Sequence, residues 1–324
     1  MSHLRPLHAR ELVLLARERH PVVDPLPPHR PRVTVVLLSL DRLHLTQRCI
    51  DSIFAYADYP FDLLIHDDGS QPEVLAYLHR LKAEHENVQL IESRRRLGCA
   101  AARNRAFAEA KGEYVFSLDN DTVCHPGWLR ESVACAVRRA ADFVAPLRLD
   151  PGGQVWSFAA ELMRIENSDV LEIARWFHDL PLDSVQRWFA VSDVRTNFIP
   201  GGVGLFRRST FQACGGFVEG YQFGFEDIDF SLKLRQRGYT VWATAQAVLM
   251  HDDAWRPRCE VDVRYARRRY DIDALRVAAA LFKERWGVDV LPEKYVESLQ
   301  QRLHSKLRET DAVGTDRVRG GDER

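Results

Sequence analysis

A chain of 324 residues has room for one large α/β domain with additions, or for about two domains. Its 46% hydrophobic and 28% charged content is ordinary for a globular protein, and a formal net charge of −1 gives no support to general nucleic-acid binding. Six scattered cysteines without a Cys-x-x-Cys pair argue against a disulfide framework or a structural zinc site. That cysteine pattern makes a reducing cytoplasm the expected setting, and no apolar run approaches the roughly 18 residues of a membrane span.

Residues 1–20 predict a short amphipathic helix, with Leu7, Leu12, Leu14 and Leu15 set among His and Arg, and the proline-rich segment from Pro21 to Pro31 ends it as a semi-rigid connector. From Arg32 a regular alternation begins. Val33–Leu38 reads as a buried strand, Leu43–Tyr56 as an amphipathic helix, and Phe61–His66 as a strand ending in Asp67-Asp68-Gly69-Ser70. Helices follow at Pro72–Glu84 and Gly98–Ala110, with a strand at Val88–Ile91 between them. Tyr114-Val-Phe-Ser-Leu118 is a strand running into Asp119-Asn120-Asp121, then comes a helix from Pro126 to about Ala140 and a strand at Asp142–Pro146. This pattern predicts an α/β fold, a mostly parallel sheet with helices on both faces and right-handed crossovers.

The polar residues after three of these strands, Ser39–Asp41, Asp67–Ser70 and Asp119–Asp121, would gather on one rim, where open α/β sheets take their ligands. Asp119 and Asp121 stand two apart and project to one side in extended backbone. Two carboxylates at one spot call for a neutralising cation, and hard oxygen ligands suit Mg²⁺ or Mn²⁺. On the next helix Arg103 and Asn104 are within reach of a nucleotide. A Gly-x-Gly-x-x-Gly after the first strand and a Walker-type loop are both lacking, which excludes the usual dinucleotide and P-loop readings.

After Leu149 the rhythm breaks: residues 154–198 are rich in Trp, Phe and acidic groups without alternation, and are expected to shape a pocket for a second substrate. Pro200-Gly-Gly-Val-Gly204 leads into a short strand. Phe225-Glu-Asp-Ile-Asp229 opens a helix that stops at Gly238, and Thr240–Met250 is a strand ending in His251. The remainder is helical and basic (Arg264, Arg267, Arg268, Arg269), with Ala278, Leu281, Phe282 and Trp286 suited to packing on the main domain or a partner. Residues 309–324 are expected to be disordered.

Taken in order, these pieces resemble the family 2 glycosyltransferases with the GT-A fold. The resemblance rests on Val33–Leu38 with Arg42, Asp67-Asp68-Gly69-Ser70, Gly98 with Ala102-Arg103-Asn104, and Gly112-Glu113-Tyr114 followed by Leu118-Asp119-Asn120-Asp121. It continues through Gly201-Gly202 with Phe206-Arg207-Arg208, Gly215-Gly216-Phe217, Phe225–Asp229, Arg237-Gly238-Tyr239 and His251, covering roughly residues 32–252. Leu38 stands where the family usually has proline, and Leu40-Asp41 where an aromatic–Asn pair is common.

The resemblance implies a metal-dependent inverting hexosyltransferase that moves a sugar from a nucleoside-diphosphate sugar to an acceptor hydroxyl. It implies that Ser39, Asp41, Asp67, Arg103, Asn104, Asp119 and Asn120 bind the nucleotide-sugar. Asp121 and His251, with Asp119, would hold Mn²⁺ or Mg²⁺. Asp227 would be the general base, its ionised form favoured at a helix N-terminus, while Gly201, Gly202, Glu226 and Asp229 line the acceptor side. The implied organisation is an N-terminal segment over residues 1–31, a GT-A domain over 32–255 (donor half 32–149, acceptor half 150–255) and a helical extension over 256–324. Peripheral contact with a membrane surface and self-association are the further partners that extension admits. A sugar nucleotidyltransferase would instead carry a glycine-rich basic loop after the first strand, where Ser39-Leu-Asp-Arg42 offers one basic residue. A non-catalytic nucleotide-sugar-binding protein would have no need of the acidic set Asp119, Asp121 and Asp227.

Overall fold

The apolar run after Arg32 forms a central strand, β1 (Val33–Ser39), in which every residue is buried. Its side chains alternate between two cores: Val33, Val35 and Leu37 pack on one face of the sheet, Val36 and Leu38 on the other. The computed structural model describes residues 30–189, 193–221, 224–252 and 259–304. The helix expected over 1–20, most of the proline-rich connector and the tail expected to be disordered at 309–324 lie outside those residues.

In chain order β1 is followed by α1 (Leu43–Tyr56), β2 (Phe61–Asp67), α2 (Pro72–Glu84), β3 (Val88–Glu92), α3 (Cys99–Glu109), β4 (Tyr114–Asp119), β5 (Thr122–Cys124), α4 (Trp128–Arg139) and β6 (Phe143–Leu149). The second half adds β7 (Val155–Ser157), β8 (Glu161–Arg164), β9 (Leu171–Ala174), α5 (Leu182–Trp188), β10 (Val194–Thr196), β11 (Gly204–Arg207), α6 (Arg208–Ala213), α7 (Glu226–Gln236), β12 (Val241–His251), α8 (Glu260–Arg269) and α9 (Ile272–Trp286). Helices α1, α2 and α4 cover one face of the sheet through Ile53, Leu78 and Trp128. The other face is covered by α3, α6 and α7 through Phe107, Phe211 and Phe230.

The main sheet runs β10-β12-β6-β11-β4-β1-β2-β3. Strands β1 to β4 are mutually parallel, as the alternation predicts. Strand β11 is antiparallel to both β4 and β6. Two reversals restore direction, so β6 and its parallel neighbour β12 open their carboxyl ends on the same rim as β1, β2 and β4. That geometry puts residues from 39 to 251 around one cleft.

The stretch 154–198, read as lacking alternation, holds β7 on the edge of β6, a separate β8–β9 hairpin, α5 and β10. Strands of three or four residues are too short for a period-2 pattern to register. At the other end, Asp271 caps α9 by accepting from the N–H groups of Asp273 and Ala274, and Gly287 closes it in the left-handed region. Leu275, Ala278 and Phe282 of α9 are buried with Tyr221, Phe225 and Ile228, so the extension packs on the main domain. Among the described residues, no helix is long and apolar enough to cross a membrane.

Candidate active site

The strand ends bring the first three predicted loops together in register. Ser39 pairs with Asp67 across β1 and β2, and Leu38 with Asp119 across β1 and β4. Hydrogen bonds then stitch these loops to one another. The Asp41 N–H donates to Ser70 Oγ at 2.8 Å, the Gln71 N–H donates to Asp41 Oδ1 at 2.9 Å, and Asn120 Nδ2 donates to Thr46 Oγ1 at 2.9 Å. Asp67 accepts from the N–H groups of Gly69 and Ser70 and from the Ser70 hydroxyl, so its carboxylate shapes its own turn. Ser39 Oγ is buried on this rim without a hydrogen-bond partner.

Asp121 and His251 meet because β5, directly after Asp121, pairs antiparallel with the end of β12, with Thr122 opposite His251. His251 Nε2 lies 3.5 Å from Asp121 Oδ1, and Arg42 Nη1 lies 3.2 Å from Asp121 Oδ2. Burial is the largest single influence on Asp121 and opposes its charge. His251 and Arg42 together outweigh it and hold the carboxyl well below the usual range. Asp121 Oδ1 and His251 Nδ1 are buried without hydrogen-bond partners. A buried carboxylate and imidazole held together, each with one atom left without a hydrogen-bond partner, fit a divalent ion that takes its other ligands from phosphate and water.

Asp119, expected beside them, is turned away: it accepts from Arg103 Nη2 at 2.5 Å. No three His, Cys, Asp or Glu side chains among the described residues cluster closely enough to hold an ion. Two of the three expected metal ligands are therefore brought together, and Asp119 serves as the counter-charge of a buried arginine.

Arg103 joins the two halves of the cleft. Its Nε donates to Ser117 Oγ, and its Nη1 lies 3.7 Å from Glu226 Oε1 at the start of α7. Gly202 sits in the left-handed region (φ 66°), and a Cβ there would stand 3.3 Å from Arg103 Cζ, so glycine lets the guanidinium pass. Beside Glu226, Asp227 accepts from the Gly201 N–H at 2.7 Å and the Ile228 N–H at 2.8 Å. Burial nevertheless pushes the Asp227 carboxyl up, against those two N–H groups and the nearby Arg148 and Arg103. The ionised form expected of a carboxylate at a helix N-terminus is thus opposed by burial. Glu226 is pushed up to about 7 by burial and then by Asp227, against Arg103.

Two predicted residues are engaged elsewhere. Asn104 Nδ2 donates to the Phe217 carbonyl and its Oδ1 accepts the Phe217 N–H, clipping the Gly215-Gly216-Phe217 turn to α3 rather than facing a nucleotide. Asp229, expected on the acceptor side, is fully buried and accepts from Tyr221 Oη, Arg285 Nε and Trp286 Nε1, so it anchors α9 to the main domain. A carboxylate two positions after the base is on the opposite side of the helix start, and the Arg285 and Trp286 donors that claim it lie 56 and 57 residues on.

The sequence reading missed Arg148, Arg175 and Asp262 as parts of this region. Arg42 Nε lies 3.1 Å from Asp262 Oδ1, both side chains buried, and the Arg42 guanidinium stacks 4.3 Å from the Tyr265 ring centroid. The helical extension thus reaches Asp121 through Arg42. Arg148 lies in the buried strand β6, where a lone charge in an apolar run is the signal that marks it.

A protein-family model described as Glycosyl transferase family 2 matches residues 34–210. The O-antigen biosynthesis protein RfbC of Myxococcus xanthus is 28% identical over 229 residues, 69% of this chain and 17% of that protein. Polypeptide N-acetylgalactosaminyltransferase 15 of Mus musculus is 28% identical over 224 residues, 66% of this chain and 35% of that one. The chain thus spans no more than about a third of the length of these curated relatives. Among solved structures, the mannosyltransferase PcManGT from Pyrobaculum calidifontis in complex with GDP-Man and Mn²⁺ superposes with a TM-score of 0.56 and 20% identity, covering 94% of this chain and 81% of that one. GalNAc-T7 with UDP, GalNAc and Mn²⁺ gives a TM-score of 0.56 and 19% identity over 69% of this chain and 44% of that one. These likenesses show a shared GT-A-like fold. With a family match that runs across more than half of its length and over the strands that build the rim, the chain belongs to the glycosyl transferase family 2.

Proposed function

We propose that the chain is a metal-dependent, inverting glycosyltransferase that moves a sugar from a nucleoside-diphosphate sugar to an acceptor hydroxyl by single displacement. The observation that carries this reading is the Arg103 bridge, which ties Asp119 at the end of β4 to Glu226 beside Asp227. Donor-side and acceptor-side carboxylates thereby border one cleft. The relatives' names point the same way: a mannosyltransferase with GDP-Man and Mn²⁺, and a GalNAc-transferase with UDP and Mn²⁺.

In this mechanism the loops carrying Ser39, Asp41 and Asp67 receive the nucleoside, and Asp121 with His251 is the pair that would hold a divalent ion. That ion supplies Lewis-acid stabilisation of the charge on the departing diphosphate. Asp227 accepts the acceptor's hydroxyl proton while the acceptor oxygen bonds to the anomeric carbon and the bond to the diphosphate breaks. One carboxylate on the acceptor side suffices for a single displacement with inversion. Its burial raises its proton affinity, which suits a base better than an ordinary aspartate. The test is a screen of nucleotide-sugars for donor consumption in the presence of Mn²⁺. At least one is expected to be turned over, with free nucleoside diphosphate as product; intact donors across the panel, with and without acceptor sugars, would overturn the reading.

A further inference from the structure

Arg148 is 4% exposed, its Nε lacks a hydrogen-bond partner, and it forms no ion pair with any described residue. Its guanidinium stacks on the Trp156 ring at 4.6 Å, and Arg175 stacks on the same ring at 4.2 Å. Trp156 in turn lies 5.2 Å from the His251 ring. A buried cation normally finds a carboxylate, because desolvation without a partner is costly. Asp119, Asp121 and Asp227 are near enough to act on Arg148 electrostatically, yet none closes on it. The guanidinium also borders the acceptor loop: a Cβ on Gly201, whose N–H holds Asp227, would stand 3.6 Å from Arg148 Nη1.

We propose that Arg148, Trp156 and Arg175 form a subsite for an anionic oxygen group, a phosphate or a carboxylate, carried by the acceptor. Each of the two planar guanidinium groups on this indole carries the forked N–H donors that grip such groups. The acceptor is the preferred source for two reasons. The donor's diphosphate would be met by the divalent ion that Asp121 and His251 would hold, and Arg148 shares Gly201 with the base. Arg175 follows β9 in the insert between β6 and β10, which carries none of the donor loops. The proposal rests on the glycosyltransferase reading for the identity of the two substrates, while the anion site itself can be tested apart from it.

The experiment is a thermal-stability titration with inorganic phosphate on the full chain, first alone and then with Mn²⁺ and a saturating nucleoside diphosphate, against chloride of equal ionic strength. The expected result is a phosphate-dependent rise in melting temperature that persists on top of the nucleotide. That rise is lost in Arg148→Gln and Arg175→Gln, while nucleoside-diphosphate affinity stays within about threefold. Arg175 is exposed, so its variant keeps the test open should the buried Arg148→Gln fold poorly. A tenfold or greater loss of nucleoside-diphosphate affinity in Arg175→Gln, with no separate phosphate effect, would assign the arginines to the donor diphosphate and overturn the proposal. So would a wild-type response to phosphate no larger than to chloride. Failure of every nucleotide to bind wild type would sink the glycosyltransferase reading instead, leaving the phosphate response without nucleotide to decide the subsite.

Discussion

Gly201 donates its backbone N–H to Asp227 Oδ2 at 2.7 Å, fastening the glycine turn before β11 to the first turn of α7 across 26 residues. Gly201 adopts φ 59°, a conformation that costs an L-residue about 1–2 kcal/mol. Gly201→Ala is therefore expected to lose about 1 kcal/mol of stability, read by denaturant midpoint. It should also lose tenfold or more in kcat, because the strained turn no longer aims its N–H at the base. Unchanged kcat in a destabilised variant would show that this bond does not position Asp227.

Removal of metal ought to stop transfer. With Asp121 Oδ1 and His251 Nδ1 orphaned, chelation by EDTA is expected to abolish turnover and Mn²⁺ to restore it. Asp121→Ala should weaken Mn²⁺ binding, measured by calorimetry with a nucleoside diphosphate present, by at least tenfold. Full activity in EDTA would contradict this.

Glu226 makes stability depend on pH with a definite sign. Its folded-state value near 7 exceeds the ordinary 4.5, so the folded protein holds the proton more tightly than the unfolded chain does. Its contribution is complete below about pH 4.5 and is lost as pH rises through about 7. Glu226→Gln removes the buried charge. At about 1.4 kcal/mol per pH unit, the variant should match wild type near pH 4.5 and exceed it by roughly 3 kcal/mol at pH 8. Parallel stability curves for the two proteins would refute the assignment.

Asp229 is expected to act on folding rather than on acceptor binding. Substitution by Ala strands Arg285, Trp286 and Tyr221 without their shared acceptor, and breaking such a buried ionic node costs about 3–5 kcal/mol. KM for the acceptor, measured on the folded fraction, should stay within about twofold. A raised acceptor KM with unchanged melting temperature would reverse this conclusion.

The strands β1, β2 and β4 with their terminal carboxylates were legible because continuous apolar runs bounded by glycine and aspartate carry a strong local signal. The rim they form followed from topology rules. The insert between β6 and β10 was not legible, since its three-residue strands β7 and β10 depend on pairing with β6 and β12, and the four-residue β8 and β9 on pairing with each other. Among site residues, Asp121, His251 and Asp227 fall where their motifs suggested. Asn104 and Asp229 carry equally suggestive positions, but their partners, Phe217 and Arg285, are remote in sequence and captured them. Arg148 escaped notice because the reading ended its strand at Pro146, before the charge at its tip.

The most direct test compares wild type with Asp227→Asn, measuring transfer rate and nucleoside-diphosphate affinity on the same preparations with Mn²⁺. The expected result is a fall in kcat of about 10²–10⁴, the usual loss with a general base, while affinity changes no more than a few-fold. Retention of more than about a tenth of wild-type turnover would contradict the role given to Asp227, and with it the single-displacement mechanism built on that carboxylate.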